Sequence, residues 1–141
     1  MRKHSINFTL LLLAICFLLS DHSAAQHMNA VDAPCRGPAT TLDEMQCLIA
    51  ASKVADERLE RTYNRVREVL SKDEQNDLQQ AQRLWLKYRD ANCSAERNLY
   101  GGGTAAPVVH AACMEADTRE RTAELKTMYG WRLKKFGKDV E

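Results

Sequence analysis

The sequence predicts an all-α fold, an antiparallel helical hairpin with a third helix packed across it, stapled by two disulfides. Three observations predict it. Apolar residues recur at helical spacing along two long stretches, each opened by a capping-box pattern. A triple glycine separates the second stretch from a third. Four cysteines follow an export-type leader, where oxidation is the normal fate of paired thiols.

The leader comes first in the chain. Arg2, Lys3 and His4 give a short positive start, and Ile6 to Leu19 is an apolar run broken only by Asn7 and Thr9. Ser23-Ala24-Ala25 supplies small residues at the cleavage positions, so residues 1–25 read as a cleavable signal peptide. The run is short for a membrane-spanning helix, which needs about 20 apolar residues. Cys16 sits inside the apolar run, followed by Phe17-Leu18-Leu19, and reads as a leader residue removed on export.

The whole chain has 141 residues, is 45% hydrophobic and carries a formal net charge of +1. Removing the 25 leader residues from 141 leaves 116, enough for one domain with a modest core. The mature chain then holds 18 Lys and Arg against 18 Asp and Glu. A balanced charge argues against a nucleic-acid or other polyanion binder.

Residues 26–40 contain Pro34, Gly37 and Pro38 without helical period, and read as an extended segment pinned by Cys35. Residues 41–129 form the helical domain. Thr41-x-x-Glu44 is a capping-box pattern. Beyond it Leu48, Ser52, Ala55, Leu59, Thr62, Val66 and Val69 step by fours and threes, predicting a helix over about Leu42 to Leu70. Ser71-x-x-Glu74 opens a second helix at once, running to about Arg97, so the two are read as antiparallel neighbours. Its expected apolar face is Leu78, Ala81, Trp85, Tyr88 and Ala95, with Leu84 and Ala91 beside it. Gly101-Gly102-Gly103 ends it, Thr104 offers a cap, and Pro107 falls in the first turn of a third helix. That helix is expected to run to about Tyr129, with Gly130 as its stop and residues 130–141 as a basic, solvated tail.

Four mature cysteines, Cys35, Cys47, Cys93 and Cys113, allow three pairings. Cys35–Cys47 with Cys93–Cys113 is favoured because each closes a short loop; Cys47–Cys93 with Cys35–Cys113 remains the alternative. A zinc site has little support: there is no CxxC pair, and His27 and His110 lack ligand spacing. No cofactor motif is present. The triple glycine resembles a phosphate cradle, but no strand precedes it and no Gly-Lys-Ser/Thr follows. No nucleophile–base pair has motif context, so an enzyme is not expected.

The stretch Ala81-Gln82-Arg83-Leu84-Trp85-Leu86-Lys87-Tyr88-Arg89-Asp90-Ala91-Asn92-Cys93 resembles the signature of the LprI-like lysozyme-inhibitor domain family. Cys35, Cys47, Ala55-Asp56, Leu59, Tyr63, Gly102-Gly103-Thr104, Cys113, Thr118-Arg119, Thr122 and Leu125 agree in order, over about residues 35 to 126. The resemblance implies an exported helical domain with a protein partner, a lysozyme for the eponymous member. It carries no catalytic residues over.

Two groups of residues are candidates for function. Gln82, Trp85, Tyr88, Arg89 and Asp90, with Arg119 contributing, form a signature read first as structural, with Trp85 filling the core and Arg89 or Asp90 anchoring a helix end. Its other reading is a partner surface, because Trp and Arg are common hot-spot residues. Tyr100, Gly101, Gly102 and Gly103, backed by Arg97, form a loop that is either a flexible connector or an element that enters a glycosidase cleft. The function read from the sequence is an exported cell-envelope binding protein that sterically blocks a lysozyme. The alternative is a structural or stress-related envelope module without a lysozyme target.

Overall fold

A computed structural model describes residues 27–37 and 40–138. The expected leader (1–25), Gln26, Pro38, Ala39 and the last three residues lie outside that description. The described chain is all-α: a 3-10 turn at His27–Asn29, then α1 (Thr41–Glu68), α2 (Lys72–Asn98) and α3 (Ala106–Lys135). None of these helices is long and apolar enough to cross a membrane.

Side chains at the helix starts explain the boundaries. α1 is capped by Thr40, one residue earlier than the expected Thr41 box: its hydroxyl accepts from the Asp43 N–H at 3.1 Å. At α2 the expected box is complete. Ser71 Oγ accepts from the Glu74 N–H, and Glu74 Oε2 accepts from the Ser71 N–H at 2.7 Å. α3 begins after Ala105 without a side-chain cap, so Thr104 does not serve as one, while Pro107 does occupy the first turn.

α3 does not stop at Gly130. It runs five residues further, and Leu133, expected in a solvated tail, is 1% exposed. The true stop is Gly137 at φ +66°, where the Lys138 N–H donates to the Leu133 carbonyl and the Gly137 N–H to Lys134. That is a Schellman ending, and only glycine adopts the required left-handed backbone freely. The added turns make Arg132 a clamp. Its guanidinium donates to the Val69 carbonyl at 2.9 Å and to both Glu74 carboxylate oxygens at 2.7 and 2.9 Å. The link between α1 and α2 is thereby tied to the far end of α3.

The helices run up, down and up. α3 keeps step with α1: Ala112 packs near Leu48, and Leu125 and Leu133 join the cluster of Leu59 and Val66. Against α2 the order reverses, Cys113 meeting Cys93, Thr118 meeting Arg89 and Arg132 meeting Glu74. α3 is the common support on which both other helices pack. The core accordingly forms two clusters. One, at the link end, contains Leu59, Val66, Val69, Leu70, Leu78, Leu125 and Leu133; the other joins Cys35, Leu48, Val108 and Ala112 near the N-terminal segment.

The expected apolar face of α2 needs correction. Leu78 is buried and Trp85 half-buried, but Ala81, Leu84, Tyr88, Ala91 and Ala95 are exposed. α2 sinks a narrow stripe onto α3, formed by Leu78, Gln82, Trp85, Arg89, Asn92, Cys93 and Glu96. Most of that stripe is polar, which hid it from a search for apolar spacing.

Both disulfides have the favoured pairing, Cys35–Cys47 and Cys93–Cys113.

Candidate functional site

Trp85 is the centre of the signature stretch. Gln82 lies one turn before it and Arg89 one turn after, so all three share the stripe that meets α3. The Arg89 guanidinium carbon lies 5.1 Å from the indole centroid, and that of Arg121 lies 5.8 Å from it. Arg89 donates to the Thr118 hydroxyl at 3.0 Å, approaches Asp56 of α1 at 3.7 Å and pairs with Asp90 at 3.2 Å. Arg121 donates to Gln82 Oε1 at 3.1 Å and pairs with Glu124 at 2.6 Å. One indole thus organises two guanidinium groups that stitch all three helices.

Two signature residues stand apart from this arrangement. Tyr88 is 62% exposed, on the rim of a cleft also lined by Trp85, Asp117, Glu120, Arg121 and Glu124. Arg119 points elsewhere and pairs with Asp32 and with Glu115 at 3.2 Å. Arg121 takes the place sequence reasoning gave to Arg119. Its clue was available: Arg121 falls on the same α3 stripe as Thr118 and Leu125, where a charged residue needs a partner.

The N-terminal segment crosses α3 as a strap held at three points. His27 Nδ1 lies 2.7 Å from Glu96, and Nε2 lies 3.7 Å from Asp117. Asp32 binds Arg119, and Cys35 is bonded to Cys47. Asp117 also comes within 3.7 Å of Cys93 Sγ, but that sulfur is spent in the bridge to Cys113 and is no metal-binding thiolate.

The candidate loop joins α2 to α3 at one end of the bundle. Gly101 at φ +56° and Gly102 at φ +80° hold left-handed turns, closed by Gly101 N–H to Asn98 O and Gly103 N–H to Tyr100 O. The glycines are thus required by the backbone path itself. Tyr100 is half-buried, Arg97 is exposed in the last turn of α2, and Leu99 is 81% exposed. The fully buried Cys93–Cys113 bridge spans the base of this loop and ties its two supporting helices together.

Comparison with known proteins gives two matches. The family model described as "Lysozyme inhibitor LprI" matches residues 35–125, a span that includes both disulfides, the Trp85 cluster and the glycine loop. A protein of Rhizobium meliloti (strain 1021), described as uncharacterized protein R02472, is 29% identical over 107 residues, covering 67% of this chain and 77% of that protein. No solved structure matches.

Proposed function

This chain belongs to the lysozyme inhibitor LprI family, and from that membership we propose that it is an exported cell-envelope protein that inhibits a lysozyme by binding it. Export rests on the leader pattern of residues 1–25 and on the paired cysteines. The family match is the observation that carries the target. It also favours a binding role over a catalytic one.

The bundle end supports a manner of inhibition. A glycosidase cleft is a narrow site built around two carboxylates. The loop from Leu99 to Thr104 is largely exposed, carries an exposed leucine at its start and has a cation, Arg97, beside it. A disulfide fixes the two helices at its base, so the ordering lost on docking is confined to the loop itself. Leu99 and Tyr100 would fill apolar space in the cleft, and Arg97 would meet a carboxylate.

Titration of the purified protein into a cell-wall clearing assay, with lysozymes of several types, tests the reading. Inhibition should saturate near one inhibitor per enzyme. The double variant Leu99→Ala/Tyr100→Ala should weaken it by about tenfold or more while the melting temperature holds. An unchanged inhibition constant would remove the loop from the interface. No inhibition of any lysozyme at large molar excess would sink the target and leave the envelope-module alternative.

A further inference from the structure

A second concavity lies away from both the loop and the Trp85 cluster. It is a groove of about 620 Å³ lined by α1, α3 and the strap, with no residue of α2. That volume falls within the range of small-molecule sites. Its floor is Ala50, Ala51, Val54 and Ala55 of α1, facing Thr122 and Ala123 of α3. From Cys47 to Arg58 the lining runs along about 16 Å of helix.

The two ends differ. At one end the strap lines the groove with Asp32 and Pro34 beside the Cys35–Cys47 bridge. Both carboxylates of the lining, Asp32 and Glu115, are there, and both are bound to Arg119. At the other end the lining contributes two cations, Arg58 and Lys126. A trough edged by the strap at one end, apolar along its floor and cationic at the other end matches a linear molecule with an anionic head.

We propose that the α1–α3 groove binds a long-chain fatty acid, the acyl tail lying on the alanine floor and the carboxylate meeting Arg58 and Lys126. Small residues make the room: larger side chains at Ala50 and Ala123, both exposed, would occupy the trough without entering the core. The tail would cover apolar surface now in water, and the head would meet the Arg58 and Lys126 cations at the exposed mouth. This site is independent of the lysozyme reading, since no residue of the loop lines it.

The test uses protein purified from the periplasm of an expressing bacterium, its N-terminus read by intact mass. Myristate should displace a fluorescent fatty-acid probe, while monomyristin, with a neutral head, and tetradecyltrimethylammonium, with a cationic one, should compete at least about tenfold less well. Ala50→Leu/Ala123→Leu should lower myristate affinity by about tenfold or more with the melting temperature kept, and Arg58→Glu should do so without touching the floor. Equal competition by all three heads, or affinity unchanged in both variants, would overturn the proposal. So would retained leader residues filling the groove, a dimer in solution that Ala123→Leu dissociates, or binding to phosphatidylglycerol vesicles in place of free myristate.

Discussion

Leu133→Ala separates a solvated tail from a continuing helix. Leu133 is 1% exposed and packs in the link-end cluster with Leu125, Val66, Val69, Leu70 and Leu78. Truncating a buried leucine costs about 2–5 kcal/mol, the larger values belonging to sites that cannot collapse. Leu133 lies in the last turn of α3, where the helix end can settle inward, so a loss of about 3 kcal/mol is expected. For a domain of this size that lowers the melting temperature by roughly 10–15 °C. Trp131→Ala is the matched control, because Trp131 is 64% exposed and its loss should stay within about 0.5 kcal/mol. Urea and thermal unfolding of both variants, followed by far-UV circular dichroism, make the measurement. If Leu133→Ala melts with Trp131→Ala and the parent protein, the last turn of α3 contributes nothing to the core and the reasoning fails.

Three further outcomes follow from the same framework. Gly130→Ala should stabilise by about 0.5–1 kcal/mol, because the residue is inside a helix and an added Cβ meets nothing within 4 Å; a lower urea midpoint would refute this. Glu74 is held at about 2, below its ordinary 4.5, by the Ser71 backbone N–H and then by Arg132. The unfolded chain therefore takes up that proton first, so Glu74's contribution is full above about pH 4.5 and drains away as pH falls toward 2. Asp32 and Glu68 are lowered too, chiefly by Arg119 and Lys138, and add to the same acid limb. Glu74→Gln should flatten part of that limb in urea midpoints measured against pH, and an identical profile would contradict the assignment. The disulfides span separations of 12 and 20 residues, for which loop closure gives about 3 kcal/mol each. Serine pairs should nevertheless cost more at Cys93/Cys113, both fully buried, than at Cys35/Cys47, where Cys47 is exposed; the reverse order of melting temperatures would refute it.

Much of the fold is legible in the sequence because its signals are local. The Ser71–Glu74 box, the α1 stripe from Leu48 to Val66 and the short spacing of each cysteine pair all act within a few turns of chain. The misreadings have physical causes. Gly130 reads as a stop in the sequence, and only packing of Leu133 beyond it carries the helix on to Gly137. The α2 contact stripe is polar, so its true face through Gln82, Arg89 and Asn92 was invisible to a hydrophobic search. For the candidate site, the importance of Trp85 could be read, and helical spacing marked Arg121 as a buried-face cation in need of a partner, but which partner it takes depends on how α2 and α3 pack. The α1–α3 groove left no local sign: alanines in a helix look like good helix formers until the facing helix shows that the space above them is empty.

The placement of α3 has a consequence for the order of events when the chain is made. Both earlier helices rest on α3, which is made after them, and the first core cluster needs residues as late as Leu133. Until those residues emerge, α1 and α2 are amphipathic segments without their main packing surface, and isolated helices of this kind are marginal in water. Cys35 and Cys47 are close enough in the chain to meet early, whereas Cys93 must wait for Cys113. Assembly of the bundle thus waits until α3 has been made, and a chain carrying only α1 and α2 stays loosely structured until then.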